Sequence, residues 1–307
     1  MRRILLIVAA VGMAEAQNSA PPYAPPGKMV DLGGYRVHLD CESAGTPTVM
    51  IVGGFSFDWS LVQPEIARMT RVCTYDASGT AWSEALPSSG GRECPAWVNE
   101  VREVMRRGQE KGPYVLVGLS AGAVIARVYA MSYPEEVAGL VLVDHAFLPE
   151  KKADAPSTSG AVRNLEGVDT PPALLSITPV IVSPEDEPGF DRLPREAREL
   201  DRWARSMNPD LPTEETTKRC VAAAEAASNG RSYPLGRIPL MVIRTENDAA
   251  GYAELQRHLL SLSRDSRETV AKGSFHSIEI SRPDVAVQGI REVVEAVRSH
   301  APPPSRR

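Results

Sequence analysis

Five short runs of apolar and β-branched residues recur along the chain: VMIVGG (49–54), RVCTYD (71–76), YVLVGL (114–119), AGLVLVD (138–144) and PLMVIRT (239–245). Each has the length of a strand buried on both faces, and stretches with helical spacing lie between them. LVQPEIARM (61–69) is one, with Pro64 in its first turn. AWVNEVREVMRRGQE (96–110) sets Val98, Val101, Val104 and Met105 on one face, and AGAVIARVYAMSY (121–133) is a third. Strands alternating with helices predict a mostly parallel sheet covered on both faces. Ahead of them, MVDLGGYRVHLDCE (29–42) reads as a hairpin turning at Gly33-Gly34.

The rhythm breaks after Leu148. Residues 149–237 are rich in proline and charge, with helices expected at 194–207 and 213–228. The pattern resumes with PLMVIRTEND (239–248), a helix over 252–263, ETVAKGSF (268–275) and a last helix from Pro283 to about His300. One α/β domain (17–148 and 238–300) is thus expected to carry a helical insert (149–237) and a frayed tail (301–307). Residues 1–16 join a basic start, MRR, to the apolar run ILLIVAAVGM and the small-residue pattern Ala14-Glu15-Ala16. That is the form of a secretory signal peptide cut after Ala16, so a secreted or periplasmic protein is expected. The apolar run falls short of the roughly 20 residues that span a bilayer, and no other stretch reaches that length.

Export bears on the four cysteines, Cys41, Cys73, Cys94 and Cys220. In an oxidising compartment they are compatible with two disulfides in any of three pairings, while Cys73 also reads as a small buried residue. No C-x-x-C spacing occurs, which argues against a zinc or thioredoxin-type site. The net charge of -5 carries no concentrated basic stripe, so no nucleic-acid partner is expected.

The chemistry centres on Gly118-Leu119-Ser120-Ala121-Gly122, between an expected strand and an expected helix. G-x-S-x-G alone is weak, but in this setting the glycines permit a tight turn that pushes Ser120 outward. The helix that follows aims its first N–H groups at the serine. A serine hydroxyl needs a base. Of five histidines, His38 and His258 read as packing or surface residues and His300 lies near the tail. His145 follows a strand, but His276 in KGSFHSIEI is best placed, between the last strand and the last helix. The imidazole needs an acid. Asp248 fits the chain order Ser…Asp…His, with Glu246 second and Asp144 third. The oxyanion donors expected are the N–H of Ala121 and that of Gly54 in the turn after VMIV, with Phe55 as second choice.

On IVGGFSFDWSLVQPEIA, RVCTYDASGTAWSE, GPYVLVGLSAGAVIARVYAMSYPEEVAGLVLVDHAF and KGSFHSIEISRPDVAVQGIREVV, the chain resembles the α/β-hydrolase superfamily, in particular bacterial esterase-like acyl hydrolases. The resemblance implies an eight-stranded sheet in the order 1-2-4-3-5-6-7-8 with a cap inserted after the sixth strand. It also implies that the strands carrying Cys41 and Cys73 are neighbours, so that these two pair and leave Cys94 with Cys220. The chain departs from the usual motifs at Val52 and Leu119, both commonly His, and at Ala77-Ser78-Gly79-Thr80-Ala81 in place of an Arg- and Gly-containing turn. These departures suggest a reshaped pocket floor.

The expected function is a secreted serine hydrolase acting on a small-molecule carboxylic ester or related acyl bond, needing no metal or organic cofactor. A hydrolase-like binding protein with little catalysis is the alternative. A serine in the elbow argues against the aspartate-dependent dehalogenases and epoxide hydrolases. In the insert, Trp203, Met207, Leu193 and Phe190 fit an acyl pocket or, more simply, the insert's own core, and Phe57 and Trp59 carry the same ambiguity.

Overall fold

The apolar runs pair into one eight-stranded sheet. Its strands are β1 (Lys28–Asp31), β2 (Arg36–Glu42), β3 (Thr48–Val52), β4 (Val72–Tyr75), β5 (Tyr114–Leu119), β6 (Val137–Val143), β7 (Leu240–Thr245) and β8 (Ser266–Ala271). The computed structural model describes residues 20–87, 92–145, 188–207, 209–246 and 252–300. The expected leader (1–16), the 148/149 boundary, much of the expected insert and the tail lie outside those residues. The strand order is β1-β2-β4-β3-β5-β6-β7-β8, as the resemblance implied. The β1–β2 and β2–β4 pairs are antiparallel and the others parallel. Gly33 and Gly34 make the β1–β2 turn with φ of 95° and 114°.

Two-residue periodicity distributes the strands between two cores. Met50, Val52, Leu116, Leu140, Leu142 and Val242 face one side. There they meet α2 (Cys94–Arg107), α3 (Ala121–Ser132), α5 (Glu214–Ser228) and α6 (Tyr252–Leu260). Their neighbours Val49, Ile51, Val115, Val117, Val141 and Val143 face the other side. These pack on α1 (Gln63–Ala67) and α8 (Pro283–His300). Because both faces are covered, the central strands show near-continuous apolar runs instead of alternation.

Two helices, α4 (Arg195–Ser206) and α5, fall between β6 and β7 in the chain, close to the spans expected. A third apolar cluster joins α4 to the loop after β3. Phe190, Leu193, Leu200 and Trp203 pack there on Phe55, Phe57 and Ile280, the last from the short α7 (Ile278–Ser281). Two disulfides tie the elements. Cys41 and Cys73 lie opposite each other on β2 and β4, and Cys94 at the start of α2 is bonded to Cys220 on α5.

Candidate active site

In parallel strands every C-terminal end emerges on one edge, where α/β folds place their ligands. Here β3, β5 and β6 are neighbours, so the turn after β3, Ser120 after β5 and Asp144 after β6 all emerge together. Ser120 has φ 55° and ψ −119°, a conformation a non-glycine residue adopts only when its surroundings force it. Its N–H donates to Val143 O at 3.0 Å, and Ala123 N–H donates to Ser120 O at 3.0 Å.

Close approach explains the two flanking glycines. A Cβ on Gly118 would lie 2.4 Å from the Ala123 Cα, and one on Gly122 would lie 2.2 Å from the Val52 carbonyl oxygen. Neither position accepts a side chain while α3 sits this close to β3 and β5.

His276 lies between β8 and α7, with Ile278 N–H donating to its carbonyl at 3.0 Å. Its Nδ1 is 2.6 Å from Asp144 Oδ2, and both side chains are largely buried. A carboxylate only accepts, so Nδ1 carries a proton, and in the neutral ring Nε2 is then the nitrogen with the lone pair. Asp144 itself sits at φ 42°, with its N–H bonded to Ile243 O at 2.8 Å. The carboxylate against the imidazole is thus the one ranked third from sequence. Asp248 lies outside the described residues, and Glu246 accepts the Gly273 N–H at 3.2 Å, bracing the loop before His276.

The other histidines have other surroundings. Both ring nitrogens of His145 are buried without a partner; burial first, then the charge of Arg127, pushes its pKa down to about 3. His38 bridges Asp76 (2.7 Å) and the Pro26 carbonyl (2.7 Å), and His258 Nε2 meets Glu225 at 2.8 Å. His300 ends α8.

Ser120 and His276 line one cavity of about 270 Å³, with Gly54 and Ala121 also in its wall. Ala121 opens α3, so its N–H has no partner within the helix. The Phe55 N–H, the second choice for an oxyanion donor, is instead given to Asp58 Oδ2 at 3.0 Å. Val52, Leu119 and Ala77, three of the departures noted above, are all in the lining and make that part of the wall apolar. Trp203, Leu193 and Phe190 belong to the α4 cluster and are not among the lining residues, nor is Met207, which packs against the same cluster. Phe57 joins that cluster too, and Trp59 is buried under the sheet. Sequence reading did not single out Asp58, Arg205 or Glu279, which also line the cavity. Among the described residues the one grouping of metal-type donors contains Cys41 and Cys73, whose sulfurs are spent in a disulfide.

A family profile described as alpha/beta hydrolase fold matches residues 47–283. Among curated proteins, an uncharacterized protein of Schizosaccharomyces pombe is 36% identical over 143 residues, which cover 36% of this chain and 26% of the relative. The 2-hydroxymuconate semialdehyde hydrolase of a Pseudomonas species is 34% identical over 134 residues, covering 42% of this chain and 47% of the relative. The chain spans less than half the length of either protein. A thermophilic esterase from Thermogutta terrifontis superposes with a TM-score of 0.60 at 20% identity, over 89% of this chain and 99% of that one, a likeness of fold.

Proposed function

The chain belongs to the α/β-hydrolase family, and from that premise we propose that it is an exported serine hydrolase cleaving a small carboxylic ester or related acyl bond, with Ser120 as nucleophile, His276 as base and Asp144 as the acid. One observation carries the reading: a serine on a left-handed turn between two obligatory glycines opens onto the same cavity as a histidine braced by a buried carboxylate.

In this reading His276 Nε2 takes the Ser120 proton as Oγ attacks the carbonyl carbon, and Asp144 stabilises the imidazolium that forms. The oxyanion is met by the N–H groups of Ala121 and Gly54. The imidazolium then returns its proton to the leaving alkoxide, and water releases the acyl group by the same steps in reverse. The apolar wall suits an acyl chain. Two disulfides support export, where such bonds persist.

The test is turnover of p-nitrophenyl esters of increasing acyl length, together with labelling by a fluorophosphonate. Wild-type protein should be labelled and the Ser120→Ala variant should not. Equal labelling of both, or none of the wild type, removes the catalytic reading and leaves a binding protein. For export, the N-terminal residue of protein recovered outside the cytoplasm should be Gln17.

A further inference from the structure

The four-residue 3₁₀ turn Ser56–Trp59 follows the oxyanion turn directly and holds a carboxyl group against it. Asp58 is 3% exposed and lines the cavity with Gly54, Ala121 and Ser120. Its Oδ2 accepts the Phe55 N–H, and a Cβ on Gly54 would lie 3.5 Å from that same oxygen. Its Oδ1 is buried and receives no N–H or hydroxyl donor. A second carboxyl, Asp201 of α4, is 1% exposed and close enough to Asp58 for the two to share a proton in a hydrogen bond. Two carboxyls in such contact away from water cannot both be ionised, and a hydrogen bond between them requires a proton on one. Arg205 Nε donates to Asp201 Oδ1 at 2.9 Å, which marks Asp201 as the anion and leaves the proton on Asp58.

We propose that Asp58 is the positioning residue of the oxyanion turn, and that it acts as a neutral carboxyl that accepts the Phe55 N–H and donates to Asp201. By taking the Phe55 N–H out of the turn, it leaves the Gly54 N–H as the donor facing the cavity. The link through Asp201 anchors the turn to α4. A negative charge at Asp58 would oppose an oxyanion forming in the same cavity.

The charged and titratable groups around it act in both directions. On α4, Asp201 disfavours ionisation and Arg205 favours it. Asp76, just after β4, disfavours it, and Glu279 of α7 and His276 share the cavity. Burial first, then Asp201, pushes the Asp58 pKa up to about 7.

This inference rests on the hydrolase reading, and its test separates the two. Asparagine mimics the neutral acid, with one acceptor for Phe55 and one donor for Asp201, whereas alanine offers neither. With p-nitrophenyl butyrate, wild-type kcat should fall on the alkaline side, starting near pH 7. In Asp58→Asn that fall should vanish, with kcat at pH 6 within about threefold of wild type. In Asp58→Ala, kcat should drop about 10- to 100-fold at every pH with KM changed far less, as for a displaced oxyanion donor. An alkaline fall that persists in Asp58→Asn, or wild-type kcat in a folded Asp58→Ala, overturns the assignment.

A second readout needs no turnover. The gain in Tm of Asp58→Asn over wild type should grow from pH 4 to pH 7, because only the wild type must keep a proton there that its unfolded chain has released. A flat difference overturns the neutral carboxyl. If the wild type shows no Ser120-dependent turnover, the hydrolase reading fails, and this Tm series still decides the state of Asp58.

Discussion

The serine, the histidine and Asp144 owe their placement to backbone that few residue types tolerate. Ser120 at φ 55° and Asp144 at φ 42° are held in the left-handed region by hydrogen bonds to the next strand over, Ser120 to Val143 and Asp144 to Ile243. Each therefore emerges at the end of its strand, where Ser120 lines the same cavity as His276 and Asp144 meets its imidazole. The imidazole has its Nδ1 on Asp144, so removing that charge alone should cost most of the rate. Asp144→Asn preserves size but offers an amide that no longer stabilises the imidazolium, and kcat should fall by about 10³- to 10⁴-fold. Asp248→Asn should stay within about threefold of wild type. Steady-state kinetics on the two variants decides the matter, and the opposite ranking would make Asp248 the acid. The serine and histidine proposed as nucleophile and base were legible in the residues, because a glycine-flanked serine and a histidine after the last strand have local signatures. The contact of Asp144 with His276 was not, because three carboxylates sit at strand ends and linear order carries no distance. Asp58 was less legible still, since a four-residue turn is too short to show any periodicity.

At the level of elements, the strands were readable because burial on both faces leaves mostly apolar residues on β3, β5, β6 and β7. Register was beyond the sequence. That Val143 pairs with Ile243 is what sets Asp144 and the end of β7 on the same edge, and that pairing crosses a hundred residues of intervening chain. Helices α4 and α5 were expected within a residue or two, yet the face each presents was not. Trp203 and Phe190 turned out to serve the contact with Phe55 and Phe57, a partnership invisible without the fold. Helix α5 has a further tie, the Cys94–Cys220 bond to α2, with a sequence separation of 126. A cross-link closing so long a loop restricts the unfolded chain strongly, and native disulfides of this kind are worth about 2–5 kcal/mol. The Cys94→Ser/Cys220→Ser pair should therefore lose about that much stability in a denaturant titration. Unchanged stability would mean that the packing of α5 on α3 holds it unaided.

For the molecule as a whole, the buried ionisable groups pull stability in both pH directions. Glu225 is partly desolvated, but His258 and Arg127 outweigh that and bring its pKa down to about 2. A carboxyl lowered in this way adds stability above its unfolded value, near 4.3, and loses it as pH falls toward 2. His145, brought down to about 3 chiefly by burial, likewise adds stability above its unfolded value, about 6.5, and loses it as pH falls. A second set acts in the opposite sense. Burial raises Asp40, Asp58 and Asp201 above the ordinary carboxylate range. The unfolded chain has released these protons by about pH 4 to 5, so their contribution declines as pH rises from there. His38 adds to the same slope. Burial works against its charged form, but the hydrogen bond and charge of Asp76 outweigh burial and raise its pKa. A raised histidine contributes fully below its unfolded value, about 6.5, and loses that contribution as pH climbs through the folded one. Tm measured from pH 3 to pH 9 should accordingly rise out of the acid range and decline above about pH 6.5, once His145 no longer offsets Asp58 and His38. His38→Gln should lie below wild type at pH 6, with the gap narrowing above pH 7 as the wild-type imidazolium loses its proton. A gap that stays constant across that range would show that His38 is neutral throughout and contributes by packing and hydrogen bonding alone.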